Sequence, residues 1–155
     1  MLLLSAAYQE LKEVTRPQPF KIKWRITDIA AKLQEAAHEI KRYSSPRFDV
    51  FFQDTRKLYI QCNIEGNKLG LFLGQDVQES DENSSLDIGG TSFTVTKEGL
   101  PDKKCSFNIV QILCLPTHMW GLPSFLADIR PYIDNNCINV TLHLMRHKDN
   151  ESLVL

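Results

Sequence analysis

Apolar and polar residues alternate along most of this chain, and the alternation predicts strands. From Phe20 to Ile26 the order is apolar, basic, apolar, basic, with Phe20, Ile22, Trp24 and Ile26 on one side and Lys21, Lys23 and Arg25 on the other. That is the pattern of a half-buried strand. Similar runs are Phe48-Asp49-Val50-Phe51-Phe52, Leu58 to Ile64, Leu69 to Leu73, Thr91 to Thr96, Cys105 to Leu115 and Ile138 to Leu144. The separators Gln53-Asp54-Thr55-Arg56 and Glu65-Gly66-Asn67-Lys68 are polar and hairpin-sized. Trp120-Gly121-Leu122-Pro123-Ser124-Phe125-Leu126 places two large apolar residues two apart, on one strand face. Its proline cannot donate to a ladder and so marks a strand edge or end.

Two segments change period. Ile29, Leu33, Ala36 or Ala37, and Ile40 recur at helical spacing in a stretch rich in Ala, Lys, Gln and Glu, with Thr27 or Asp28 able to cap it. The spacing predicts a helix over about 28–41. Leu4, Tyr8, Leu11 and Val14 form a second, short stripe within residues 2–14, ended by Arg16-Pro17-Gln18-Pro19. Residues 75–85, with Asp76, Glu79, Asp81 and Glu82, read as a long exposed loop without calcium-loop spacing. Residues from about 147 read as a tail. Many short strands and one helix after the first predict a mainly β protein, an antiparallel β-sandwich. The division expected is a helical segment or stalk remnant over 1–16, a sandwich over 20–146 and a tail over 147–155.

Composition narrows the function. The 155 residues, 43% hydrophobic and 24% charged, suit one soluble domain, and a net charge of −1 offers no overall field for nucleic acid or an acidic membrane. Lys21, Lys23 and Arg25 read as a solvated strand face. The apolar start Met1 to Ala7 is too short for a signal peptide or membrane span. Cys62, Cys105, Cys114 and Cys137 lie far apart, which suits reduced thiols and a cytoplasmic or nuclear location. The sequons at Asn83 and Asn139 then read as chance matches.

Candidate chemistry is thin. Cys114 and His118 stand four apart, as do His143 and His147. The first pair lacks an orienting third group and an oxyanion hole, and the second lacks further ligands beyond Cys137. No phosphate-binding glycine loop and no HExxH motif is present. The expectation is a protein with no enzymatic activity, no cofactor and no metal.

Several short matches, in order from about Phe20 to Met145, carry a resemblance. They are Ile22-Lys23-Trp24-Arg25-Ile26-Thr27-Asp28, Gln34-Glu35-Ala36, Ser44-Ser45-Pro46-Arg47-Phe48, Leu69-Gly70-Leu71-Phe72-Leu73, Trp120-Gly121-Leu122-Pro123-Ser124-Phe125 and Asp134-Asn135-Asn136-Cys137-Ile138. Together they resemble the TRAF-C, or MATH, domain family. The resemblance implies an eight-stranded antiparallel sandwich that binds short extended peptides against the edge of its seventh strand, as an adaptor or substrate-recognition module. It implies a peptide site made of Trp120, Gly121, Leu122, Phe72, Phe93, Gln61 and Asn63, with Gly121 admitting the peptide backbone. Residues 2–14 would be the end of a coiled-coil stalk through which copies associate. Met119 stands where the family usually has an acidic residue, and no serine run occurs near Leu115 to His118. Gln61 and Asn63 replace the family's Arg and Tyr. A different peptide is expected, or else an assembly module whose peptide groove is silent.

Overall fold

The strand predicted first, β1 (Gln18–Ile26), buries Phe20, Ile22, Trp24 and Ile26 and turns Lys21, Lys23 and Arg25 outward. A computed structural model describes residues 18–51, 55–76, 85–113, 119–146 and 152–155. The expected helical stripe of residues 2–14 and most of the acidic loop lie outside them. After β1 come helix α1 (Ile29–Glu35) and strands β2 (Lys41–Ser44), β3 (Phe48–Phe51), β4 (Thr55–Glu65) and β5 (Lys68–Gln75). Then follow β6 (Ser85–Thr96), β7 (Lys103–Leu113), β8 (Met119–Leu126), β9 (Ile138–Arg146) and β10 (Ser152–Val154).

These strands form two sheets. One has the order β10-β1-β9-β6-β7; the other is β2-β4-β5-β8, with β3 also paired to β4. Every pairing is antiparallel except β1 with β10. The inward faces share one apolar core. Phe93 of β6 meets Phe125 of β8 edge to face, with ring centroids 6.4 Å apart, and so links the two sheets.

The helix is shorter than its periodicity predicts. Its N-terminus is closed from far away: the Asn136 carbonyl accepts from Ile29 N–H at 3.0 Å, and Asn136 Oδ1 accepts from Ala30 N–H at 2.7 Å. Asp28, the expected cap, has φ 53 and makes no side-chain cap bond. At the other end Gly66 N–H donates to the Ala36 carbonyl at 3.0 Å, and the chain leaves the helix. Lys41–Ser44 then pair with Gln61–Ile64 as β2. Helix propensities separate ordinary residues by only a few tenths of a kcal/mol, roughly, so a sheet edge in need of a partner outweighs them. Ile40 is consequently 42% exposed, not on a buried helix face.

Ten strands are described where eight were expected, for two reasons. The strand opposite β4 is broken at Ser45-Pro46-Arg47 into β2 and β3. Buried Ser45 carries the ladder across the break: its N–H donates to the Ile60 carbonyl at 2.8 Å, and its Oγ accepts from Ile60 N–H at 2.9 Å. Second, part of the expected tail pairs with β1 as β10, and Leu155 N–H donates to the Lys23 carbonyl at 2.9 Å.

Candidate peptide-binding edge

Among the described residues, strand β8 is the last strand of its sheet and is hydrogen-bonded to β5 alone. Trp120, Gly121 and Leu122 stand opposite Leu73, Phe72 and Leu71. Beyond Leu122 the register slips: Leu126 is the next residue paired, opposite Leu69, so Pro123, Ser124 and Phe125 face the single residue Gly70. Such a bulge bends an edge and blunts it. The slip also lets Phe125 and Leu126, adjacent in sequence, both enter the core. The open part of the edge is therefore Met119 to Leu122.

Alternation then separates the expected site residues. Trp120 and Leu122 share a face, as their spacing predicts, and it is the face that Leu71 and Leu73 turn to the core. Because β8 lies at the rim, Trp120 is only partly buried against that core and Leu122 is 39% exposed. Gln61, Asn63 and Phe72 lie on the opposite, outer face of the sheet, all half-buried. Gln61 is opposite Phe72, which is opposite Gly121, so the three make one row across β4, β5 and β8. Gln61 Nε2 donates to Asn63 Oδ1 at 2.9 Å, tying the two amides together. Phe93, by contrast, is 1% exposed in the core and offers no surface to a ligand.

Gly121 serves the fold rather than an incoming backbone. A Cβ placed on it would run into the Leu71 carbonyl and come within 2.7 Å of Phe72 Cα. The close approach it permits is that of β5.

Sequence reading missed Tyr59 and Arg47. Tyr59 shares the outer face with Gln61 and Asn63, two and four residues on, and its ring covers Gly74, where an added Cβ would lie 2.7 Å from Tyr59 Cε2. The Arg47 guanidinium stacks over that ring at 4.0 Å, and Arg47 Nε donates to Asp76 Oδ2 at 2.9 Å. The period-two count from Gln61 back to Tyr59 was available; the position of Arg47, within the strand break, was not.

The described residues add little reactive chemistry. Burial pushes the Cys62 thiol up to about 12, against the weaker opposing pull of Lys32, so it stays protonated and poorly nucleophilic. Cys137 is buried in the Asp134–Cys137 turn. Cys114, His118 and His147 lie outside the described residues, within which no group of three or more His, Cys, Asp or Glu could hold a metal. No described helix is long and apolar enough to cross a membrane. The sequence matches no family model and no curated protein.

Proposed function

We propose that this domain binds a short extended peptide as an added strand along Met119 to Leu122, in the manner of the TRAF-C/MATH family it resembles. The observation that carries the reading is the one-sided pairing of β8, whose outward ladder positions face no other strand among the described residues. A peptide laid there gains main-chain hydrogen bonds whatever its sequence. Its side chains would alternate: one set beside Gly121 and Phe72 on the outer face, the other beside Trp120 and Leu122 at the rim. Strand count supports the family reading too. With β2 and β3 taken as one broken strand and the three-residue β10 set aside, eight strands remain and β8 is the seventh.

Gln61 and Asn63 are neutral and already bonded to each other. The preferred peptide is then apolar or small at its alternate positions, and the acidic motifs of TRAF proteins bind weakly. An interface this small gives affinities of about micromolar, raised by avidity when copies are joined. Function is that of an adaptor or recognition module with no catalytic step. The test is a peptide library screened against the wild type and against folded Trp120→Ala and Leu122→Arg variants. Selected peptides should lose affinity for both variants. Equal binding to all three proteins, or no ligand for any, would assign the fold to assembly with a silent edge.

A further inference from the structure

The outer face of the other sheet carries a second surface, which alternation alone made look like ordinary solvated strand. The register lines its residues up in rows across β1, β9, β6 and β7. One row is Lys21, His143, Ser92 and Ser106; the next is Lys23, Thr141, Thr94 and Lys104, with Ser92 and Thr94 themselves buried between their longer neighbours. The third is Arg25, Asn139 and Thr96. None of these positions is acidic, although the chain as a whole has 19 acidic and 18 basic residues. Four ion pairs occur among the described residues, and none involves Lys21, Lys23, Arg25 or Lys104. The same cations hold down the pKa of His143, second to burial, through Lys21 and Lys104, with no carboxylate opposing them.

The face is also shaped. A cleft of about 450 Å³ is lined by Lys23, Arg25, Thr96, Asn139 and Thr141, together with Trp24 and Val140. Past Arg25 the surface continues into a second cleft of about 430 Å³ that carries Lys32 and Arg42. Cations with no ion-pair partner among the described residues thus sit beside hydroxyl and amide groups that can complete hydrogen bonds to an anion.

We propose that this face binds an acidic, extended peptide segment of a partner protein, independently of the β8 edge. Lys21, Lys23 and Arg25 occupy alternate positions of one strand and so recur at roughly 6.6 Å. Carboxylates on alternate residues of an extended chain recur at the same interval and would meet them in step. Single-stranded nucleic acid is disfavoured because the rows hold no aromatic platform for stacking bases: in the clefts beside them Trp24 is 8% exposed and the Tyr43 ring already lies under the Lys32 ammonium. A lipid surface is disfavoured because the exposed large apolar residues among those described, Ile40, Leu100 and Leu122, are absent from them.

The experiment uses the full chain and a fluorescein-labelled peptide of alternating Glu and Ser, read by anisotropy at low and high salt. Arms with oligo-dT and with phosphatidylserine vesicles run beside it. Lys23→Glu/Arg25→Glu should weaken peptide binding by about tenfold or more, and Lys21→Gln/Lys104→Gln severalfold, because each removes direct charge partners. Lys57→Glu/Lys68→Glu, on the other sheet, should leave it unchanged. Amide shifts on titration should map to β1 and β9. The second variant decides the matter if the first does not fold. Absent binding, equal loss in the control pair, or tighter binding of oligo-dT or vesicles than of the peptide would overturn the proposal.

Discussion

Replacing Gly121 by Ala separates two roles that a glycine on a binding edge could have. If the space above it is kept for a ligand, the variant folds normally and loses only binding. If β5 fills that space, the methyl has nowhere to go. The geometry favours the second outcome: the atoms an added Cβ meets are the Leu71 carbonyl and Phe72 Cα, all backbone, which cannot swing aside as a side-chain tip can. Overpacking costs about 1–3 kcal/mol, and a backbone clash belongs at the upper end. For a domain of this size each kcal/mol lowers the melting temperature by about 2–4 °C, so a loss of roughly 6–12 °C is expected. Leu122→Ala, one residue away and well exposed, should change stability by no more than about 0.5 kcal/mol. Calorimetry and urea titration of the three proteins would measure this. A Gly121→Ala protein that melts with the wild type, yet no longer binds a selected peptide, would refute the packing argument and return the glycine to the ligand.

Other consequences are open to the same instruments. Trp24 is 8% exposed in the core, and Trp24→Ala should cost about 3–5 kcal/mol in urea-derived stability. Asn136→Gly keeps the left-handed backbone but loses the side-chain cap on Ala30, for about 1 kcal/mol; Asn136→Ala adds about 1–2 kcal/mol of strain at φ 62, so the alanine variant should melt lower. His143 has its pKa held below the ordinary 6.5, first by burial and then by Lys21 and Lys104. The unfolded chain therefore takes up the proton first as pH falls. Stability from this group is intact above pH 6.5 and declines as pH drops through the folded value, and His143→Gln should flatten the slope of urea midpoint against pH between 7.5 and 5.

What the sequence makes legible is whatever depends on neighbours along the chain. The alternation from Phe20 to Ile26 places Trp24 inward and three cations outward without any knowledge of β9. Trp120 and Leu122 share a face because they are two apart, and Pro123 marks an edge because it has no N–H. Features set across the chain were hidden. The helix cap is one, since Asn136 stands 106 positions from Ala30. The helix end is another: residues 36–40 have helical composition, and only the vacancy beside β4 draws Lys41–Ser44 into a strand. Gly121 looks the same in sequence whether a ligand or β5 approaches it. Phe93 alternates like any strand residue, and the depth of burial that removes it from the candidate site depends on Phe125.

The position of β1 bears on how the protein comes to be made. Its long antiparallel partner is β9, near the other end of the chain, while β2 to β8 lie between them in sequence. As the polypeptide emerges from the ribosome, β1 must wait for nearly all of the domain before it can pair. Contacts of such wide separation slow folding and leave unpaired edges exposed to other chains meanwhile. Lys21, Lys23 and Arg25, alternating with the apolar residues of that waiting strand, supply the like-charge repulsion that discourages two nascent copies from zipping together.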